Sequence, residues 1–225
     1  MGLVRSVNVG AARAVNTLTG RSGIDKRPVG GPVRVRAPGP AKGRGGLVGD
    51  EIVSSRHHGG NDQAVYAYAT EDLAWWRREL DRDLPPGTFG ENLTTEGVDL
   101  TGAVVGEHWS VGERLVLQVT SPRIPCQTFA AWMDRPKWIR RFTERAAPGT
   151  YLRVLHPGPV QAGDPVVVTR RPAHGLTIGV MFRALTLEPA LLPSLAGVPD
   201  LPGDVRDVVA RRLAAGQPTS ARATR

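Results

Sequence analysis

The sequence predicts a mainly β protein with α insertions: a β-barrel followed by a small C-terminal unit of three helices. Three observations carry this expectation. Short apolar or alternating runs recur over residues 3–8, 64–68, 115–120 and 150–155, at strand rather than helix length. Twenty-seven glycines and nineteen prolines break the chain into turns. Beyond Arg171-Pro172 the apolar period lengthens to a helical one.

Taken in order, residues 3–8 read as a first strand and 32–35 as a second. The loop between them carries Thr19, Ser22, Lys26 and Arg27 among glycines, a composition suited to holding an anion through backbone N–H groups and charge. It lacks the GxxxxGK[ST] spacing of a nucleotide phosphate loop. Residues 37–46 are an exposed turn region, and 51–53 read as another strand. His57 and His58 precede Gly59-Gly60 and the strand at 64–68; adjacent histidines on an extended backbone face opposite ways, so one of them can reach a site. Thr70 is placed to cap a helix reaching about Arg82, with Leu73, Trp76 and Leu80 on its apolar face. Phe89 to Leu93 reads as a strand-and-turn element presenting Glu91 and Asn92, with a loop following to Gly102. Asp134 is read as the cap of a second helix, with Trp138 and Phe142 on one side and Lys137, Arg140, Arg141 and Arg145 on the other. Strands at 150–155 and 165–169 complete the barrel. Helices follow at 177–185, 189–195 and 204–215, the last capped by Asp204 and stopped by Gly216. The expected division is a barrel domain over 1–172, a three-helix unit over 173–216 and a disordered tail over 217–225.

Composition excludes several classes. One cysteine forms no intramolecular disulfide and holds no iron–sulfur cluster, which takes about four thiolates. No run approaches the ~18 apolar residues of a membrane span, and no signal peptide is visible, so a cytoplasmic protein is expected. The net charge of +8 invites a nucleic-acid reading. However, no helix-turn-helix, zinc-finger spacing or aromatic-basic repeat accompanies it, and aromatic residues make up only 5% of the chain. No specific nucleic acid and no membrane partner are expected.

The lone cysteine closes Ser121-Pro122-Arg123-Ile124-Pro125-Cys126, at the end of an apolar strand. Pro122 and Pro125 each hold the residue before them extended. A lone cysteine is more often a small buried hydrophobe than a reactive group. Here it lies three residues from an arginine, on a stiff non-helical segment.

This block and three others resemble, in order, the motifs of the MOSC family, named for the C-terminal domain of molybdenum cofactor sulfurase. The others are Gly23-Ile24-Asp25-Lys26-Arg27-Pro28-Val29, His58-Gly59-Gly60-Asn61-Asp62-Gln63-Ala64-Val65 and Phe89-Gly90-Glu91-Asn92-Leu93-Thr94-Thr95. The resemblance covers about residues 1–172 and, with the helical tail, is to the stand-alone bacterial branch, whose characterised members reduce N-hydroxylated bases such as hydroxylaminopurines. It implies a β-barrel and a molybdenum cofactor (molybdopterin), with Cys126 as the metal ligand. The implied catalytic residues are Cys126, Arg123 and His58. Ser22, Gly23, Lys26, Arg27, His58, Asn92, Arg123 and Cys126 would bind the cofactor, with Lys26, Arg27 and the Ser22 loop on its phosphate. The implied activity is an oxidoreductase removing oxygen from N-hydroxylated or related N-oxygenated small molecules. Electrons would come from an external flavin-type reductase, for which the basic helix after Asp134 is a docking candidate; a homodimer is compatible. The alternative is a sulfur carrier with a persulfide on Cys126, or a cofactor-binding and delivery module without turnover.

Overall fold

The computed structural model describes residues 2–15, 20–40, 43–53 and 58–216. Thr19, His57 and the tail at 217–225 lie outside these described residues. Strands are β1 (Gly2–Val9), β2 (Arg13–Ala14), β3 (Arg21–Ser22), β4 (Arg27–Pro28), β5 (Val33–Val35), β6 (Val65–Ala69), β7 (Leu93–Glu96), β8 (His108–Val111), β9 (Leu115–Pro122), β10 (Thr150–His156), β11 (Gly158–Val160) and β12 (Pro165–Arg170). Helices are α1 (Thr70–Leu80), α2 (Gln127–Met133), α3 (Trp138–Arg145), α4 (Ile178–Thr186) and α5 (Gly203–Ala214), with 3-10 turns at Asn61–Gln63 and Pro189–Leu195.

Seven strands close on themselves in the order β12-β8-β9-β10-β6-β7-β1, and β1 returns to β12. The barrel is mixed because β6 and β7 run parallel, Ala67 opposite Leu93. Parallel neighbours need a crossover, and α1 with its following loop supplies it. The far end of β1 pairs with β4, Asn8 opposite Pro28, which ties the Gly23–Val29 block to the barrel.

The apolar run in β9 is buried along nearly its whole length, because both of its faces are covered. Inward, Leu115, Leu117 and Val119 join a core that also takes in Met181, Leu195 and Val209 from the C-terminal helices. On the other face of β9, Thr120 Oγ1 donates to Asp62 O at 2.6 Å and Gln118 Oε1 accepts Arg153 Nη1 at 3.1 Å. A second cluster gathers Trp76 of α1, Phe129 of α2, Trp138 and Phe142 of α3 and the loop residue Phe89 around Tyr66 and Tyr68 of β6. Phe89 and Phe129 meet at 5.2 Å between ring centroids, and Phe129 and Trp138 at 5.4 Å. Each such fully buried side chain contributes about 1.5–3 kcal/mol.

Several expectations are corrected. Residues 51–53 form no strand; Glu51 N donates to Gly10 O at 2.8 Å and the segment runs as a wall of loop. Thr70 is the first residue of α1 rather than its cap, and Ala69 holds the cap position without a side-chain bond. Helix α2 begins directly after Cys126, where no helix was expected, and Asp134 ends it in the left-handed region at φ 49°. Asp204 lies inside the first turn of α5, which starts from Pro202. The α5 stripe is buried at Val209 but 39% exposed at Leu213.

Candidate functional site

A cleft opens where the Gly23–Val29 block, the Asp50–Val53 loop, the His58 turn, the Gly90–Asn92 turn and the β9–α2 junction converge. It is lined by Ser22, Gly23, Lys26, His58, Asn92, Arg123 and Cys126, together with Arg21, Ile24, Asp50, Gln63, Tyr66 and Tyr151. Its cavity of about 100 Å³ has several times the room one water requires. Seven of the eight residues proposed from sequence thus come together. Arg27 does not: its side chain is 61% exposed and pairs with Asp25 at 2.7 Å. Lys26 and Arg27 are adjacent on an extended backbone, so when one faces the cleft the other faces away.

Cys126 is a free, half-buried thiol. Its backbone is extended (φ −125°, ψ 170°), the conformation of a helix N-cap, and its carbonyl accepts Ala130 N at 3.0 Å as α2 begins. Arg123 is only 6% exposed. Its guanidinium carbon stacks 4.1 Å from the Phe129 ring centroid and 5.1 Å from that of Tyr66, and Nη1 donates to Phe89 O. No carboxylate pairs with Arg123 among the described residues. A buried guanidinium without a counter-ion is costly, so a negative group reaching the cleft would be held there.

At the floor, Lys26 Nζ donates to Asp50 Oδ1, with the two side chains 7% and 3% exposed. Burial lowers the Lys26 pKa, and Asp50 works against that shift. Asp50 also accepts from Gly10 N at 2.9 Å and from Asn92 Nδ2 at 3.0 Å. Asn92 is committed to the protein: Oδ1 accepts Tyr66 N at 3.1 Å, and Nδ2 donates to Asn8 O at 3.3 Å besides Asp50. It therefore braces the cleft instead of presenting its amide to a ligand.

The neighbouring residues divide between support and walls. Ser22 Oγ accepts Ile24 N at 3.1 Å. A Cβ on Gly23 would fall 2.0 Å from Glu51 O, so glycine there lets two walls of the cleft touch. Gly59, at φ 82°, makes a similar approach to Arg44. Glu91 is fully buried away from the cleft and shapes the turn, accepting Gly87 N at 2.6 Å, Phe89 N at 3.0 Å and Thr94 Oγ1 at 2.9 Å. Tyr66 and Tyr151 form an aromatic wall, their centroids 5.0 Å apart. Burial raises the pKa of both, so their hydroxyls stay protonated. On α3, Arg140, Arg141 and Arg145 pair with Glu144, Glu79 and Asp72, so three of the four cations of that basic face are neutralised within the chain.

Sequence reasoning missed Asp50, Tyr66 and Tyr151. Asp50 lies 24 positions from Lys26 and no local pattern joins them. For the tyrosines a signal existed: Tyr66 follows the His-Gly-Gly block in β6, and Tyr151 sits opposite Ser121 in β10.

Comparison with known proteins bears on the family and the fold. The family described as MOSC domain matches residues 54–167. The chain is 31% identical to protein YflK of Bacillus subtilis (strain 168) over 70% of its own length and 67% of that protein. It is 30% identical to a protein named "Reductase" from Gibberella moniliformis over 80% of its own length, and spans 31% of that longer protein. It is 32% identical to protein YiiM of Escherichia coli (strain K12) over 56% of its own length and 57% of that protein. Among solved structures, YiiM of Geobacillus stearothermophilus superposes with a TM-score of 0.77 at 27% identity, covering 95% of this chain and all of the other. The fold is shared with the crystal structure of YiiM from Escherichia coli, at a TM-score of 0.74 and 21% identity, covering 98% of this chain and 96% of the other. No helix among the described residues is long and apolar enough to cross a membrane.

Proposed function

Because this chain belongs to the MOSC domain family, we propose that it is a molybdenum-cofactor-dependent reductase removing oxygen from N-hydroxylated bases or related N-oxygenated compounds. The observation that carries this reading is the free thiol of Cys126 in a cleft with a buried arginine that has no acidic partner among the described residues. A thiolate is a soft metal ligand. The chain offers this one thiol, and no group of three or more His, Cys, Asp or Glu able to hold a metal occurs among the described residues. A metal bound here would therefore bring its own organic ligand, as a molybdenum pterin does. The cleft suits that demand, with flat walls at Tyr66 and Tyr151 and cations at Arg21 and Arg123.

When bound, the cofactor would supply two-electron redox chemistry. The overall change is R–NHOH + 2 H⁺ + 2 e⁻ → R–NH2 + H2O, with electrons from an external flavin-type reductase. Within the chain, Cys126 would hold the metal at the cleft. Arg123 would bind an anionic oxygen of the bound group, and its stacking on Phe129 keeps the guanidinium in one orientation. Tyr151, whose hydroxyl burial keeps protonated, and His58 both line the cleft that would receive the substrate. The relative named a reductase is in keeping with this direction of chemistry.

The test is molybdenum and pterin content of the protein made in a molybdenum-replete host, with reduction of a hydroxylaminopurine driven by a chemically reduced viologen. Stoichiometric molybdenum, and loss of both metal and turnover in Cys126→Ala, are expected. Wild type without molybdenum, or full turnover by Cys126→Ala, would overturn the proposal; a labile sulfur adduct on Cys126 without metal would instead indicate a sulfur carrier.

A further inference from the structure

The polar groups at the cleft floor can be sorted by what the protein already uses. Asn92 has given both amide hydrogens, to Asp50 Oδ2 and Asn8 O. Lys26 Nζ carries three donors, of which Asp50 takes one. Asp50 Oδ1 accepts Lys26 and Gly10 N, filling both its lone pairs, while Oδ2 accepts only Asn92 Nδ2. Two donors on Lys26 and one acceptor site on Asp50 therefore remain unused among the described residues, on side chains more than nine-tenths buried that line the cleft.

The charges of this pair cancel. A phosphate brought to Lys26 would lie against the Asp50 carboxylate and lose through repulsion much of what the ammonium gives. A neutral group with an acceptor beside a donor meets no such conflict and satisfies both residues. We infer that the Lys26–Asp50 pair reads the lactam edge of a nitrogen heterocycle: Lys26 donates to a ring carbonyl and Asp50 Oδ2 accepts the adjoining ring N–H. The inference rests on the proposal that the cleft takes a pterin, and it moves Lys26 from the phosphate of that group to its ring. An anionic substituent then falls towards Arg21 and Ser22, at the end of the β2–β3 hairpin. The same edge occurs on oxopurines, so the occupant could be the pterin of a cofactor or a purine substrate.

Binding of two matched pairs of probes separates these cases, using full-length protein from a host unable to make the pterin cofactor. The first pair is 6-hydroxymethylpterin and its 2,4-diamino analogue, in which an amino donor replaces the carbonyl. The second is guanine and 2,6-diaminopurine. Wild type should bind at least one lactam about tenfold or more tighter than its diamino partner, because a donor facing Lys26 leaves buried groups unpaired. A preference among pteridines assigns the edge to the cofactor, and one among purines assigns it to substrate. In Lys26→Met/Asp50→Asn the preference should vanish; some loss of melting temperature is expected, because the new amide N–H faces Asn92 Nδ2 or Gly10 N, and is read on the same sample. Equal binding of lactam and diamino compounds by wild type, or a preference retained in the double variant, would overturn the inference. Should the double variant fail to fold, the wild-type ratios alone decide. Molybdenum content and turnover are read on separate samples, so failure of the reductase proposal is distinguishable from failure of this one.

Discussion

Replacing Arg123 with methionine tests whether this arginine serves the ligand or the fold. The change removes the charge-assisted bond to Phe89 O, worth about 1.5–3 kcal/mol. It also removes stacking on Phe129 and Tyr66, worth about 1–2 kcal/mol in a desolvated setting. Against this loss of about 3–5 kcal/mol stands relief from burying a guanidinium without a carboxylate, itself several kcal/mol. Methionine has an unbranched stem and adapts to the same slot, so the terms nearly cancel and the net change should lie within about 2 kcal/mol. For a protein of this size that is a shift of at most ~8 °C in melting temperature. Calorimetry measures this directly, and molybdenum content of the same sample should fall at least about tenfold if an anionic group is held here. A fall of more than about 15 °C in melting temperature, or unchanged molybdenum, would refute the argument.

Other expectations follow from the same geometry. Glu91→Gln sets an amide hydrogen against Phe89 N–H and should lower stability by about 2–4 kcal/mol in chemical denaturation; a neutral result would mean the turn does not depend on the carboxylate. All three tyrosines of the chain, Tyr66, Tyr68 and Tyr151, have pKa values raised by burial. Their neutral forms favour the folded state, so that stabilisation is complete below the ordinary tyrosine range and is lost as pH rises through the raised values. Phenolate absorbance should therefore appear together with unfolding, and a tyrosine ionising in the folded protein near pH ~10 would contradict this. Gly23→Ala forces a methyl against Glu51 O and should cost about 2–3 kcal/mol, with faster proteolysis at the 50–53 loop; wild-type resistance would show that the two walls can part freely.

How much was legible from sequence depended on how local the cause was. Apolar or alternating runs revealed five of the seven barrel strands, β9 among them because both its faces are covered, whereas the four-residue strands β7 and β8 were not read as strands. Helix α2 was hidden: Cys126 provides no side-chain cap, and Asp134 resembles a helix start although it ends one. Aspartate tolerates the left-handed region, and only the packing of Phe129 and Met133 against the aromatic cluster decides between the two roles. At the site, the motifs identified where the chain converges but not which atoms remain available there. The bonds that commit Asn92 come from Tyr66, Asn8 and Asp50, the last 42 positions away. The bond partner of Lys26 is equally remote, so its neutralisation has no local signature.

The barrel seam bears on how the molecule reaches this state. Gly2 and Leu3 meet Val166 and Pro165, the only register pairs joining β1 to β12 among the described residues. Bringing together chain segments about 160 residues apart costs on the order of 4–5 kcal/mol in loop entropy before any bond at the seam repays it. On the ribosome, β1 can find β4 and β7 early, but its last edge stays open until β12 has emerged. Slow, late closure of that edge is the expected kinetic signature of this topology. A bulky extension fused to the first strand would act on that step and leave the chemistry of the cleft untouched.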